Sequence, residues 1–265
     1  METKLENKTV LLTGLPRTGS TLLQNLLAQN TNFHVESNSA LYRVMLDNKH
    51  CCEKVAIEQL TGSGKQVSFK QELLKSIPKI YYPNVEGKII LEKSRDWAFI
   101  NGLNMAREYI QKDIKSIVMV RPLEEIVASL VRVANENNQE VSYEDFLHPA
   151  AASGALVMGS FHATYAASKT KDPSLLFVSY NDLVKNTQQT LSRIYSHIEV
   201  KKFTHDTQKV DQVVFEDDES IGISGMHTIR PKISVQENKV ILPEWVRKYC
   251  KSLTHQLFSE IDKEP

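Results

Sequence analysis

The sequence carries no excess charge: 32 Lys and Arg residues balance 32 Asp and Glu among 265 positions. A neutral chain has no long-range field with which to gather nucleic acid or an anionic membrane. Any anion it binds must be held by a local, aimed cluster. Long apolar runs are lacking too. Stretches such as Ser116–Val120 fall far short of the roughly 20 residues that cross a bilayer, so no membrane span is expected. The opening Met1–Thr9 has no apolar core of a signal peptide. Cysteine is scarce: Cys51 and Cys52 are adjacent and Cys250 stands alone. That pattern is no disulfide framework and points to reduced thiols in the cytoplasm. Repeats, low-complexity tracts and Gly- or Pro-rich linkers are missing, so residues 1–265 are expected to form one domain. With 41% hydrophobic and 24% charged residues, the chain is that of a globular protein able to bury a core without staples.

Four short runs read as strands: Thr9–Thr13, Lys88–Leu91, Ser116–Val120 and Leu175–Val178. Each is rich in Val, Ile or Leu with little polar alternation, as in strands covered on both faces. Helical spacing of apolar residues lies between them, over Thr21–Gln29, Trp97–Gln111, Leu123–Ala134, Ala150–Ser168 and Gln188–His197. A last helix is expected from Pro243, a good first-turn residue, to Ile261. Strand–helix alternation predicts an α/β fold, a parallel sheet of the P-loop type flanked by helices on both faces. Ligands in such folds bind at the carboxyl ends of the strands.

The first strand runs into Gly14-Leu-Pro-Arg-Thr-Gly-Ser-Thr21, and a helical run of leucines follows. A loop of this kind aims backbone N–H groups and a helix N-terminus at one spot, which suits a phosphate. Gly14 and Gly19 have the spacing of an ATP-binding P-loop, but Ser20 stands where the lysine belongs. The nearest cation is Arg17, inside the loop. An ordinary strand–helix turn capped by Thr18 or Ser20 would read the same way. A second anion site is suggested where the third strand ends. Arg121 follows Val120, Pro122 opens a helix, and Ser129 lies eight residues past Arg121, about two turns along. An arginine fork and a hydroxyl can grip a phosphate together; pairing of Arg121 with Glu124 or Glu125 is the plainer use of the same residues.

Together these segments resemble the sulfotransferases that use 3′-phosphoadenosine 5′-phosphosulfate (PAPS). Pro16-Arg-Thr-Gly-Ser-Thr-Leu22 is similar to the family's 5′-phosphosulfate loop in the Arg-bearing version of bacterial and tyrosylprotein sulfotransferases. Arg121 and Ser129 match its 3′-phosphate pair, although Pro122 replaces the usual aspartate. Val178-Ser-Tyr-Asn-Asp-Leu-Val184 is similar to the family's Tyr-Glu-Asp-Leu segment, and Gly225-Met-His-Thr-Ile-Arg-Pro-Lys232 resembles a late basic loop that closes over the nucleotide.

The resemblance implies transfer of a sulfuryl group from PAPS to a hydroxyl or amine by in-line displacement. PAP, the adenosine 3′,5′-bisphosphate, is then the product, and no metal is required. It implies that Arg17 and the backbone of Thr18, Gly19, Ser20 and Thr21 hold the 5′-phosphosulfate, and that Arg121 and Ser129 take the 3′-phosphate. Lys93 matches a lysine that stabilises the bridging oxygen; a surface salt bridge with Glu92 or Asp96 is the alternative. Tyr180 is a nucleotide contact or a partly buried tyrosine, with Asp182 capping the next helix. Arg230 and Lys232 become late-loop phosphate contacts. Arg132 stands one residue short of a further family arginine. For the general base, Arg95 occupies the histidine position of cytosolic enzymes and Asn38 the position of a tyrosylprotein-type glutamate. Glu36 is then the first candidate and His34 the second.

The remaining features read plainly. The acids of Phe215-Glu-Asp-Asp-Glu-Ser220 could hold a cation or a basic acceptor, but four in a row read more simply as a solvated loop, and Trp97 and Trp245 as core. The histidines have no metal-ligand spacing. Asn48–Ile80 and the helix over Ala150–Ser168 are expected to build a pocket for a small-molecule or peptide acceptor. Two other functions fit the same residues: a P-loop kinase or nucleotide triphosphatase, with Asp96 nearest to a magnesium position, and a non-catalytic module that binds PAPS or PAP.

Overall fold

The apolar runs form a sheet whose two faces are both covered. A computed structural model describes residues 7–151, 154–220, 222–234 and 240–263. The first strand, β1 (Lys8–Gly14), leads into α1 (Ser20–Ala28), β2 (Phe33–Val35) and α2 (Leu41–His50). A π-helical turn over Cys51–Val55 continues to α3 (Ile57–Gly62) and α4 (Gln66–Tyr81). Next come β3 (Ile89–Lys93), α5 (Ile100–Tyr109), β4 (Lys115–Val120), α6 (Leu123–Glu136) and α7 (Tyr143–Leu147). The described chain ends with α8 (Ser160–Lys169), β5 (Leu175–Ser179), α9 (Tyr180–Lys185), α10 (Thr187–His197) and α11 (Glu244–Ile261). The strands lie in the order β2-β3-β1-β4-β5 and all pair in parallel, Leu12 opposite Lys93 on one side and Ile117 on the other. The expected α/β parallel sheet is therefore the observed one.

Strand alternation divides the core. Val10, Leu12, Leu91, Ile117 and Met119 face α1 and α10, where Leu23, Leu26, Leu27, Leu191 and Ile194 meet them. Leu11 and Ile90 face the opposite way, into a layer holding Leu41, Met45, Leu74 and Trp97. Val118 and Val120 pack on α6, α8 and α11 through Val127, Phe161 and Val246. Each fully buried leucine contributes about 2 kcal/mol against exposure. This two-faced burial is why the strands show no polar alternation. Among the described residues no helix is long and apolar enough to cross a membrane.

Several elements differ from expectation. The strand β2 is three residues long, too short for any periodicity to register. The helix expected over Trp97–Gln111 starts as a 3₁₀ turn, Arg95–Ala98, then breaks at the extended Phe99 and resumes as α5. The Ser94 hydroxyl, accepting the Asp96 N–H at 3.4 Å, caps the early turn. Of the helix expected over Ala150–Ser168, residues 152–153 lie outside the described ones, as do residues 1–6 of the opening segment; the rest begins as a π-helical turn, Ala155–Gly159. Ser179 rather than Asp182 caps α9, its hydroxyl accepting the Asn181 N–H at 3.2 Å. Trp97 is buried, whereas Trp245 is 47% exposed on α11.

Between α10 and α11 the described residues form no helix or strand. Side-chain amides take the place of a ladder there. The Asn25 carbonyl oxygen accepts the Val213 and Val214 N–H groups at 2.6 and 2.9 Å. Gln212 accepts the Ile229 N–H and donates to the His227 carbonyl, at 3.0 and 3.2 Å. Asn137 brackets Ser224 in the same manner. These bonds satisfy a backbone that would otherwise be stranded over the sheet and fix it above the strand ends.

The β1–β4 junction tolerates no side chain at Gly14. Its φ is +119°, and an added Cβ would lie 2.2 Å from the Met119 carbonyl oxygen. Gly14→Ala is expected to lower unfolding stability by about 3 kcal/mol, from strain plus overpacking, as read from urea midpoints. Burial also holds the His197 and His205 imidazoles below their ordinary value. With the folded pKa depressed, the unfolded chain binds protons first, so stability falls as pH drops below about 6.5. The fall between neutral pH and about pH 5.5 should shrink in the double variant His197→Gln/His205→Gln.

Candidate functional site

The loop after β1 is built by backbone geometry that few residues accept. The Leu15 N–H continues the β1–β4 pairing by donating to the Met119 carbonyl at 3.0 Å. The Thr18 hydroxyl, fully buried, donates to the Leu15 carbonyl at 2.8 Å, so it closes the loop and does not cap α1. Gly19 precedes α1 at φ +81°, and no side chain caps the helix N–H groups. A Cβ on Gly19 would sit 2.7 Å from the Tyr180 ring. Arg17 is left-handed as well, at φ 58°, which costs an L-residue about 1 kcal/mol or more. Three contacts hold it there. Its carbonyl accepts from Arg121 Nη1 at 3.0 Å, its Nε donates to the Ser129 hydroxyl at 3.2 Å, and its Nη1 donates to the Met226 carbonyl.

Arg121 leaves the end of β4 and is buried. Its Nε meets Glu125 at 3.0 Å, and its guanidinium lies 4.1 Å from the centre of the Tyr180 ring. The Glu125 pairing and the contact with the loop thus coexist. Ser129 is buried one turn beyond Glu125 on α6. Arg132 pairs with Glu136 on the same helix. Burial, reinforced by repulsion from Arg132 and Arg121, pushes the Arg17 guanidinium down to about 10.

Lys93, the last residue of β3, is buried and ion-paired with Glu216, not with Glu92 or Asp96. Glu92 points away and is fully buried, accepting from the Tyr82 hydroxyl and from Trp97 Nε1 at 3.1 Å. Desolvation draws the Lys93 ammonium below its ordinary value, with Glu216 opposing; burial lowers the neighbouring Arg95 too. Glu216 also lies 3.3 Å from Nε2 of His227, whose Nδ1 is 2.5 Å from Asp218. The acidic run is thus only half solvated: the Glu216 and Asp218 side chains are 13% and 11% exposed, whereas Asp217 and Glu219 face solvent.

A cavity of about 870 Å³ gathers these groups, within the size range of small-molecule sites. Arg17, Gly19, Ser20, Thr21, Lys93, Arg121, Ser129, Tyr180, Arg230 and Lys232 all line it; Thr18 stays behind the loop. Among the described lining residues, seven are Arg or Lys and two are Glu. That imbalance, in a chain with no net charge, gives the cavity a cationic lining whose chemistry suits an anion. Asn38 lines the cavity, but His34 and Glu36 do not. They pair with each other at 2.7 Å beside β2. Nor do 48–80 or the described residues of 150–168 contribute to the lining; the late segment from Gly225 onward does.

Sequence reasoning missed Glu216, Asp218 and His227. Exposure alternates along 212–219, with Gln212, Val214, Glu216 and Asp218 turned inward while Val213 and Phe215 are exposed. The order Gln-Val-Val-Phe-Glu-Asp-Asp-Glu has no matching alternation of apolar and polar residues, so hydrophobic patterning does not reveal it.

A family model described as a sulfotransferase domain matches residues 7–264. Among solved structures, the chain is similar to the sulfotransferase domain from the curacin biosynthetic pathway, at 18% identity and TM-score 0.57, over 99% of each chain. It is also similar to the sulfotransferase domain of the Synechococcus PCC 7002 olefin synthase: 15% identity, TM-score 0.54, 100% of this chain and 98% of that one. A sulfotransferase from Alicyclobacillus acidocaldarius matches at 10% identity and TM-score 0.53 over 97% of each. At such identities these likenesses are likenesses of fold. No curated protein matches the chain.

The Lys93–Glu216 pair yields a direct test. Glu216→Gln removes the one charge paired with the ammonium while leaving it buried, so Lys93 should titrate at lower pH than in the unsubstituted protein. Carbon and nitrogen NMR of the Lys93 amine measures the shift; an unchanged titration would separate the pair.

Proposed function

The chain belongs to the sulfotransferase family, and on that premise we propose that it draws the sulfuryl group from PAPS and passes it to a hydroxyl or amine. The observation that carries this reading is the convergence of Arg17, Arg121 and Ser129 on one cationic cavity. Arg17, desolvated by burial and further opposed by Arg132 and Arg121, calls for an anion beside it, which is the chemistry of a bisphosphate with a sulfate attached. PAPS supplies a sulfur activated by a good phosphate leaving group.

Arg17 and the uncapped N–H groups at the start of α1 take the 5′-phosphosulfate, with hydroxyls of Ser20 and Thr21 beside them. Thr18 shapes this loop from behind, and Gly19 leaves room for the Tyr180 ring. Arg121 and Ser129 take the 3′-phosphate, the group that separates PAPS from ATP. Tyr180, already stacked on Arg121, offers a face to the nucleotide, while Arg230 and Lys232 close the late segment over it. Lys93 neutralises charge on the oxygen that leaves sulfur. Removing one such preorganised donor typically costs two to three powers of ten in rate, on the order of 3–4 kcal/mol. No residue in this scheme requires a metal. A small molecule or a peptide is the acceptor, and the unbridged cysteines suit a cytoplasmic location. The acceptor's proton must leave before or as the new bond forms, and Glu36 and His34 are poorly situated to take it.

Calorimetric titration with PAP, set beside ATP plus magnesium, tests the donor assignment. The unsubstituted protein should prefer PAP, and Arg121→Ala should weaken that binding by about 10- to 100-fold, the worth of a charged phosphate contact. Preference for ATP, or equal PAP affinity in Arg121→Ala, would overturn the 3′-phosphate assignment in favour of a kinase-like site.

A further inference from the structure

We propose that His227 is the general base of the transfer, held in its working tautomer by Asp218 and stabilised when protonated by Glu216. This inference rests on the sulfotransferase reading above and assigns the proton acceptor within it. The geometry is a chain of four side chains. Lys93 meets Glu216; Glu216 Oε2 is 3.3 Å from His227 Nε2; His227 Nδ1 is 2.5 Å from Asp218 Oδ1. The second Asp218 oxygen accepts the His227 backbone N–H at 2.8 Å, so the carboxylate grips both ring and main chain. An Nδ1 that donates to a carboxylate leaves Nε2 with its lone pair. His227 lines the cavity together with Lys93 and Glu216. The imidazole therefore presents its basic nitrogen on the side where Lys93 ends.

Glu216 is the weaker choice of base, since one of its oxygens already holds the Lys93 ammonium and the other faces His227 Nε2. His227 is placed differently: each ring nitrogen has a carboxylate oxygen beside it, Asp218 at Nδ1 and Glu216 at Nε2. Glu216 stands 3.3 Å from the nitrogen that gains the proton, a distance that becomes a charge-assisted contact once it has done so. The further charged groups around this chain are Arg95, which acts on Lys93 and Glu216, and Arg17, on which Asp218 acts.

The step balances without any additional reactant. The acceptor O–H proton passes to His227 Nε2 while its oxygen forms the bond to sulfur. The bond from sulfur to the 5′-phosphate oxygen breaks, its electron pair leaving with PAP. Asp218 and Glu216 are positioning residues and touch neither reacting oxygen.

Three measurements on the full chain test the assignment, with His227→Asn, Asp218→Asn and Glu216→Gln compared to the unsubstituted protein. PAP affinity by calorimetry should stay within about threefold in His227→Asn. Release of sulfuryl from PAPS, with water or 2-naphthol as the acceptor, should fall at least 100-fold in that variant, as loss of general-base catalysis does. Its rate should lose the acidic limb on which turnover rises as His227 becomes neutral. Nitrogen NMR of the free protein should show His227 protonated at Nδ1, and Asp218→Asn should abolish that signature. Unchanged turnover in a PAP-binding His227→Asn, or protonation of neutral His227 at Nε2, overturns the proposal. A rate loss in Glu216→Gln alone transfers the role to Glu216. Failure of the unsubstituted protein to bind PAP instead overturns the donor reading, and this assignment falls with it.

Discussion

Arg17 adopts a left-handed backbone conformation because its surroundings over-determine it: one arginine takes its carbonyl, and its guanidinium reaches a serine on α6 and the carbonyl of Met226. Those contacts join three stretches of chain that are far apart in sequence. The loop after β1 and the β4–α6 junction come together because β1 and β4 are neighbours in the sheet. The late segment joins Arg17 through the Met226 carbonyl. Strain of about 1–3 kcal/mol at such a residue persists only where packing holds it, and here the same bonds that hold it also line the cavity.

The second constraint is electrostatic. Burial lowers the basicity of both Arg17 and Lys93, and repulsion from Arg132 and Arg121 adds to it at Arg17, as repulsion from Arg95 does at Lys93 against the opposing Glu216. Arginine suits this situation better than lysine because its planar fork keeps its charge and bonds in several directions at once. Within the chain, Glu125, Glu136 and Glu216 supply partial compensation. Each is tied to a cation that faces the cavity, so an anionic ligand substitutes for some of that compensation and meets a field already arranged to receive it.

Much of the fold was legible because burial on both faces leaves the strands as unbroken Val, Ile and Leu runs. The strands at Thr9, Ser116 and Leu175 were readable to within a residue or two. By contrast, β2 is too short to show a period, and the helix after Lys93 breaks at Phe99 because the chain must round a capped 3₁₀ turn first. The cationic residues of the cavity were legible for a related reason. Arg17, Lys93 and Arg121 sit at strand ends, where the topology alone aims them at one edge. Glu216, Asp218 and His227 occupy a segment without helix or strand among its described residues, held by amides of Asn25, Gln212 and Asn137. No local propensity marks where such a segment lies.

Local order in the sequence determined the alternation of strand and helix, the glycine-bearing loop with arginine in place of lysine, and the arginine–serine spacing after Val120. Those features act over a few residues, so spacing and side-chain chemistry reveal them. Tertiary structure alone decided that His34 turns to Glu36 beside β2, away from the cavity, and that Lys93 meets an acid 123 positions later. The second outcome depends on how a long irregular segment folds over the sheet, and that path is set by hydrogen bonds between residues distant in sequence.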